Sequence, residues 1–414
     1  MSLLRKIFDS RKSEAAGGAY RWYRPDLILL PDYAVALFAN QLDKQTGTFF
    51  SKDRLLVTAD HFAPPSTIER ANVLRVVQDL CARQGWDLRL FEGICHQLLV
   101  EDPRAKPGAL IIGGDSHTVT AGALGCLALG FGSTDIFAAL IKGRIAVRIP
   151  EVIKVVLTGR LRAWVMGKDV ILEIFRRFGH EKLKDRALEF VDRTEDGVHQ
   201  SDRFCICNMM AEASGKAAMF IPDAVTVDYL RKRDGEDDFE LGQWTSPPED
   251  DYLEEHVMDL DDLEPMTATP HNPFNVVALR DVRGLVVHQV FLGSCNAGRI
   301  EDMAVAAKIL SGKTAAPGLK AIAIPGSKKV YLEALKAGYI QTLIEAGVVI
   351  GNPSCGPCGA VDKGLLADGE RCAATINRNY RGRMGSPDAQ VYLVSPAVAA
   401  ASMVTGELTD PRDL

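Results

Sequence analysis

No stretch of this 414-residue chain stays apolar for the length of a bilayer span, which excludes a helical membrane protein. The N-terminal MSLLRKIFDSRKSEAAGGAYRWYRPD lacks a continuous apolar segment, so no secretory leader is read there. Excess positive charge is also lacking. The formal net charge is −6, and no basic cluster is interleaved with aromatics, which gives no electrostatic reason to expect nucleic-acid binding. The nine cysteines are odd in number and spread along a long chain. They argue against a disulfide framework and for free or metal-bound thiols in a reducing cytoplasm. There is no internal repeat and no low-complexity tract. What remains is 47 % hydrophobic and 25 % charged, long enough for two or three domains with ample cores.

Short β-branched runs alternate with helical patterns. Strands are expected at RLLVTA, GALIIGG, VIKVVLTG, HQVFLG, LKAIAIPG, GVVIG and AQVYLV. Helices are expected at STIERANVLRVVQDLCARQG, STDIFAALIKGRIAV, GKDVILEIFRRFG, GRIEDMAVAAKILSG and SKKVYLEALKAGYIQTLIEAG. This alternation indicates α/β layers with mostly parallel sheets. The acidic residues 232–270 read as a surface excursion or an interdomain connection. Reactive residues fall just past the β-runs: Asp60-His61, Asp115-Ser116-His117, Cys295, and Cys355 with Cys358. Ligands of open α/β sheets bind at the carboxyl ends of strands, so these stops are expected to share one cleft.

The CGPC at 355–358 carries little meaning alone. A redox dithiol is expected early in a small domain, and this one lies late in a large chain. A structural zinc site asks for a second CxxC-like pair, whereas Cys205 and Cys207 form CxC. Cys295, Cys355 and Cys358 together could hold three irons of a four-iron cluster and leave the fourth iron open. Cys81, Cys95, Cys126 and Cys372 sit among apolar neighbours and read as inert buried thiols, and packing is also favoured for Cys205 and Cys207. The histidines at 180, 199, 256, 271 and 288 have no motif around them and read as structural.

In chain order the sequence carries TADHFAP, EGICHQLL, IIGGDSHTVTAGALG, FCICNMMAEA, FLGSCNAGRIEDM, NPSCGPC and TINRNYRGRMG. With these motifs it resembles the aconitase superfamily from about residue 24 onward, and most nearly the large subunits of the 3-isopropylmalate dehydratase type. The resemblance implies an aconitase-like fold of three α/β/α domains around one cluster cleft, with segments 1–148, 149–272 and 273–414. It implies a [4Fe-4S] cluster on Cys295, Cys355 and Cys358. It implies acid–base roles for Asp60, His61, His96, Asp115, Ser116, His117 and Glu212, and substrate or cluster contacts for Asn208, Asn377, Arg378 and Arg383.

The activity implied is dehydration and rehydration of a branched malate-type hydroxy acid: 3-isopropylmalate and 2-isopropylmalate in leucine biosynthesis. The alternatives are 2,3-dimethylmalate, citraconate/methylmalate or homoaconitate. A cluster-free RNA-binding form is the non-enzymatic reading, disfavoured by the charge. The sequence shows no GSSRE-like motif, so the base that takes the carbon-bound proton is expected on a separate small, swivel-domain subunit. Two departures from the family pattern stand out. Asn296-Ala297 follow the first cluster cysteine where Thr-Asn is usual, and Pro31 precedes Asp32 where relatives carry a polar residue.

Overall fold

The computed structural model describes residues 1–11, 14–42, 51–235, 241–244 and 251–414. They divide into two compact units. One comprises Met1–Phe91, Cys95–Thr158 and Leu183–Met258; the other comprises Glu92–Ile94, Gly159–Lys182 and Asp259–Leu414.

The first unit opens with the short strands β1 (Glu14–Gly17) and β2 (Tyr20–Tyr23). Five parallel strands follow: β3 (Leu27–Pro31), β4 (Leu55–Ala59), β5 (Leu88–Leu90), β6 (Leu110–Gly113) and β7 (Leu127–Gly130). Their order is β5-β4-β3-β6-β7. Every residue of β3, β4 and β6 is buried, as expected of strands covered by helices on both faces. The chain winds outward from β3 to β4 and β5, then returns to the other flank of β3 as β6. The reversal lies between β3 and β6, the place where ligands of such sheets bind.

β8 (Ile145–Arg148) pairs with β2, closing the small sheet β1-β2-β8. A four-stranded sheet completes the unit: β9 (Val152–Thr158), β10 (Ala187–Asp192), β11 (Ala217–Phe220) and β12 (Glu254–Asp259), in the order β11-β10-β9-β12. A 3₁₀ segment, Ser116–Leu124, lies against β11 at Gly122, where an added methyl would land 1.7 Å from the Ala218 carbonyl oxygen. The buried Glu189 of β10 accepts the Leu3 and Leu4 N–H groups at 3.1 and 2.7 Å and the Tyr252 hydroxyl at 2.8 Å. It thereby caps the helix Leu3–Asp9 from 185 residues away.

In the second unit, β13 (Met266–Ala268) and β14 (Val276–Ala278) pair antiparallel at the edge of a seven-stranded sheet. The rest are β15 (Gln289–Leu292), β16 (Lys320–Ala323), β17 (Val349–Ile350), β18 (Arg371–Ala374) and β19 (Gln390–Leu393). These five are parallel, in the order β19-β18-β15-β16-β17. The winding repeats that of the first unit. It runs outward from β15 to β16 and β17, then back to the other flank of β15 as β18.

The α/β layering and mostly parallel sheets expected from the sequence are present. Differences have local causes. The helix expected over residues 327–347 is two helices, Lys328–Lys336 and Tyr339–Glu345, because Gly338 adopts φ +79° between them. The helix Ser133–Lys142 ends at Gly143 in the left-handed conformation, and the Ile-Ala-Val beyond it becomes β8. Within the acidic stretch, residues 236–240 and 245–250 lie outside the described residues. Its Glu254–Asp259 is the edge strand β12 rather than an irregular excursion. Among the described residues no helix is long and apolar enough to cross a membrane.

Candidate active site

The first unit holds the acid–base residues: Asp60 and His61 after β4, His96 on the helix Cys95–Glu101, Asp115, Ser116 and His117 after β6, and Glu212 in the 3₁₀ turn Met210–Ala213. Asp60 follows β4 and is fully buried. Its Oδ2 accepts the Cys95 N–H at 2.8 Å, and its Oδ1 accepts the Thr58 hydroxyl at 3.2 Å. His61 Nδ1 lies 3.3 Å from Asp60 Oδ1 and 3.0 Å from Asp32 Oδ1. Asp32, also fully buried, accepts the backbone N–H groups of Tyr33, His61 and Phe62 at 2.9, 3.1 and 3.2 Å. Burial opposes charge on Asp60, but His61 and the Cys95 N–H outweigh it and hold its carboxyl below the ordinary value.

Asp115 follows β6 and gathers donors on both oxygens. Oδ1 accepts the His117 N–H at 2.7 Å and stands 3.0 Å from His96 Nε2 and 3.2 Å from His117 Nδ1. Oδ2 accepts the Tyr33 hydroxyl at 2.8 Å. Burial works against the Asp115 charge. His96 and His117 overcome it and keep the group well below the ordinary carboxylate range. His117 Nε2 lies 2.7 Å from Glu212 Oε1, so this imidazole spans two carboxylates. The His96 and His117 rings meet edge to face at 5.8 Å. Asn208 donates to the Thr120 hydroxyl at 2.9 Å, and that hydroxyl donates to the His117 carbonyl at 2.6 Å. Ser116 is exposed, with Oγ 3.4 Å from His117 Nδ1. All seven acid–base candidates therefore lie in one unit, together with Asn208.

Cys95 is fully buried, and burial together with Asp60 pushes its thiol well above the ordinary value, as an inert thiol requires, although its Sγ lies 3.4 Å from His96 Nδ1. Cys81 and Cys126 behave as expected: burial pushes them up to about 11 and about 12.

The second unit gathers the thiols. Cys295 follows β15 on a loop of constrained backbone, with Gly293 at φ +153°, Ser294 at +75° and Gly298 at +103°. A side chain at Gly298 would meet the Ile324 carbonyl oxygen at 2.8 Å. Arg299 donates to the Cys295 and Asn296 carbonyls at 3.0 Å each, and Asp302 accepts the Gly298 and Arg299 N–H groups at 2.8 and 2.9 Å. Asn296 and Ala297, the residues that depart from the family pattern, are buried within this loop. After β17, the Cys358 N–H donates to the Cys355 carbonyl at 3.2 Å, which closes a turn through Gly356 at φ +57°.

The segment after β18 joins the two loops. Asn377 Nδ2 donates to Cys295 Sγ at 3.2 Å, and its Oδ1 lies 3.9 Å from Cys358 Sγ. Arg383 donates to Cys358 Sγ at 3.1 Å. Arg378 is half-buried beside Asn377. The buried Lys168 ammonium donates to the Thr375 and Ile376 carbonyls at 3.3 and 2.8 Å, directly before Asn377. Asn377 thus spans the point in the sheet where the winding reverses, between the exits of β15 and β18.

Sequence reasoning missed Asp32, Tyr33, Lys168, Arg299 and Asp302. A signal existed for the first two: they follow the apolar run LILLP just as the other candidates follow theirs. That run is not among the strands expected from the sequence, because Pro31 closes it.

The sequence model of the aconitase family (aconitate hydratase) matches residues 5–286 and 280–406. A Methanopyrus kandleri protein named 3-isopropylmalate dehydratase large subunit 1 is 42 % identical over 393 residues, covering 94 % of this chain and 93 % of its own. The 3-isopropylmalate dehydratase large subunit of Aquifex aeolicus is 37 % identical over 424 residues, covering 100 % and 98 %. That of Moorella thermoacetica is 41 % identical over 395 residues, covering 94 % and 93 %. The crystal structure of Thermococcus kodakaraensis aconitase X in its holo-form superposes with a TM-score of 0.53 at 13 % identity, covering 99 % of this chain and 92 % of that one, a likeness of fold.

Proposed function

The chain belongs to the aconitase family, and on that premise we propose that it is the large subunit of a hydro-lyase that interconverts 3-isopropylmalate and 2-isopropylmalate in leucine biosynthesis. The observation that carries this reading is the end-to-end match, at 37 to 42 % identity, with large subunits of that name. The same name supports a separate small subunit as the partner.

We infer that Cys295, Cys355 and Cys358 hold a [4Fe-4S] cluster. The donor set fits. Asn377 and Arg383 direct N–H groups at two of the three sulfurs, those of Cys295 and Cys358. Such donors stabilise sulfur that carries negative charge, as thiolate ligands do. When bound, the cluster supplies a Lewis-acidic iron for the leaving hydroxyl.

The chain's own residues supply the rest of the chemistry. Dehydration breaks a carbon–oxygen bond and removes a proton from the adjacent carbon; the electron pair left there forms the double bond. In this reading His61 gives its proton to the departing hydroxyl, which leaves as water, and returns as base when water adds back. Asp32 and Asp60 favour its imidazolium and fix the ring. The couple of Asp115 with His96, and of His117 with Glu212, holds charge near the reacting group. Arg378 and Arg383 bind carboxylate, for which a guanidinium fork is suited. The base for the carbon-bound proton is proposed on the small subunit.

We also propose the partition into segments 1–148, 149–272 and 273–414. It is supported by sheet membership: β1 to β8 form two sheets within the first segment, β9 to β12 form one within the second, and β14 to β19 belong to the seven-stranded sheet of the third; the exception is β13, which precedes residue 273 yet joins that seven-stranded sheet.

The test is anaerobic reconstitution with iron and sulfide, addition of the small subunit, and a screen of malate derivatives for loss of water. Turnover of 3-isopropylmalate only when both subunits are present is the expected result. Preference for a different hydroxy acid, or full turnover by the isolated chain, would overturn the substrate or the partner assignment respectively.

A further inference from the structure

β3 is the hub of its sheet, with β4 on one flank and β6 on the other. Two consecutive residues leave its carboxyl end in opposite directions. The Asp32 carboxylate reaches the exit of β4, where it binds the His61 and Phe62 N–H groups and approaches the His61 ring. The Tyr33 hydroxyl reaches the exit of β6, where it donates to Asp115 Oδ2 and lies 2.8 Å from the Gly114 carbonyl oxygen. The Tyr33 ring also meets the His61 imidazole edge to face, with centroids 4.7 Å apart. One side chain therefore touches both histidine–carboxylate groups, across the reversal point of the sheet.

We propose that Tyr33 is a positioning residue of the site, whose hydroxyl holds the outer oxygen of Asp115 while its ring holds the His61 imidazole, so that the two histidine–carboxylate groups keep one fixed geometry. The proposal rests on the hydro-lyase reading for its catalytic consequence, and on the geometry alone for the coupling.

The chemistry suits the role. Asp115 Oδ1 is already occupied by His96 and His117, so a second donor on Oδ2 fixes the carboxylate plane without competing for those partners. Burial, with Asp115 beside it, raises the phenol far above its ordinary value, so it remains a donor. A phenol donating to a carboxylate withdraws negative charge from it. The groups facing His96 and His117 that could respond are Asp115, Glu212, Asp60, Cys95 and Tyr33 itself. Those facing His61 are Asp32, Asp60, Cys95 and the Tyr33 ring.

The test uses Tyr33→Phe, which keeps the ring and removes the donor, beside replacement of Tyr33 by 3-fluorotyrosine, which strengthens the donor. In the full chain, side-chain ¹⁵N NMR follows the His96 and His117 imidazoles, assigned with His96→Gln and His117→Gln. Tyr33→Phe should shift their titration upward by about half a pH unit, and 3-fluorotyrosine should shift it downward, as a charge-assisted hydrogen bond implies. In the reconstituted complex, Tyr33→Phe should lower kcat about tenfold or more with little change in KM, and the pH profile should move with the NMR titration. A role in packing alone would leave both titrations and kcat at wild-type values, and that result overturns the proposal. If wild-type complex dehydrates no malate derivative, the functional reading fails, while the imidazole shifts still decide whether Tyr33 couples the two groups.

Discussion

Asp32 Oδ1 stands 3.0 Å from His61 Nδ1, closer than the 3.3 Å of Asp60, the residue that adjoins the histidine in sequence. His61 is thus cradled by two carboxylates from two neighbouring strand exits, one local and one 29 residues earlier. Asp32→Asn replaces a charged partner by a neutral amide. It should lower turnover by about ten- to a hundredfold, the range of a lost bond to a charged group. Iron content should stay at the wild-type level. Equal loss of iron would show that Asp32 supports the fold of the whole molecule rather than one imidazole.

Cys295→Ser, Cys355→Ser and Cys358→Ser should each lose most of the bound iron and the broad visible absorption after reconstitution, since a hydroxyl is a poor soft ligand. Cys81→Ala should retain both, because Cys81 is a buried thiol of the first unit. Iron counted per chain decides the matter. Retention of iron by any one of the three serine variants would remove that cysteine from the ligand set.

The depressed carboxyl of Asp115 makes a prediction with a definite sign. A carboxylate whose folded-state value lies below its unfolded value contributes stability that is complete above the unfolded value. That contribution is lost as pH falls through the folded value. Wild-type protein should therefore be more stable than Asp115→Asn near pH 7. The difference should shrink as pH drops below about 4, the unfolded range of Asp. Urea denaturation of both proteins across this range provides the measurement; a difference that does not change with pH would mean that the charge of Asp115 does not stabilise the fold.

Glu189 is the single side chain that accepts both leading N–H groups of the N-terminal helix. Glu189→Gln leaves one acceptor oxygen where two are used and turns an amide N–H toward other donors. It should cost about 1–3 kcal/mol, the penalty of an unsatisfied buried group. Hydrogen exchange at Leu3 and Leu4 should accelerate, while amides of β15 and β18 keep their protection. Uniform acceleration throughout the chain would contradict this local role.

Much of the architecture was legible because buried parallel strands are short apolar runs with reactive residues at their ends. HQVFLG and LKAIAIPG became β15 and β16 as expected. ALEFVD and AAMF became β10 and β11 without being expected, since a glutamate and two alanines weaken the pattern. Glu189 is tolerated there because three donors meet it, a fact that local sequence does not hold. The same limit applied at the site. Motifs exposed His61, His117 and the thiols, while Asp32, Tyr33, Lys168 and Arg299 act through partners far away in the chain. Asn377 was found by its motif, but its span from Cys295 to Cys358 belongs to the winding of the sheet.

The repeated winding has a consequence for how the chain is made. Among the parallel strands of each sheet the hub emerges first, and its inner neighbour follows roughly 80 residues later: β6 after β3, and β18 after β15. At about 5–20 residues per second, each hub waits for several seconds with one edge unpaired. β3 is apolar at every position and β15 at three of four, so both waiting edges are open to wrong partners. Synthesis that stalls between Pro31 and Leu110, or between Leu292 and Arg371, should raise the insoluble fraction more than a stall of equal length after residue 393. In each unit a strand that carries chemistry at its tip is thus left open to aggregation while its inner partner is made.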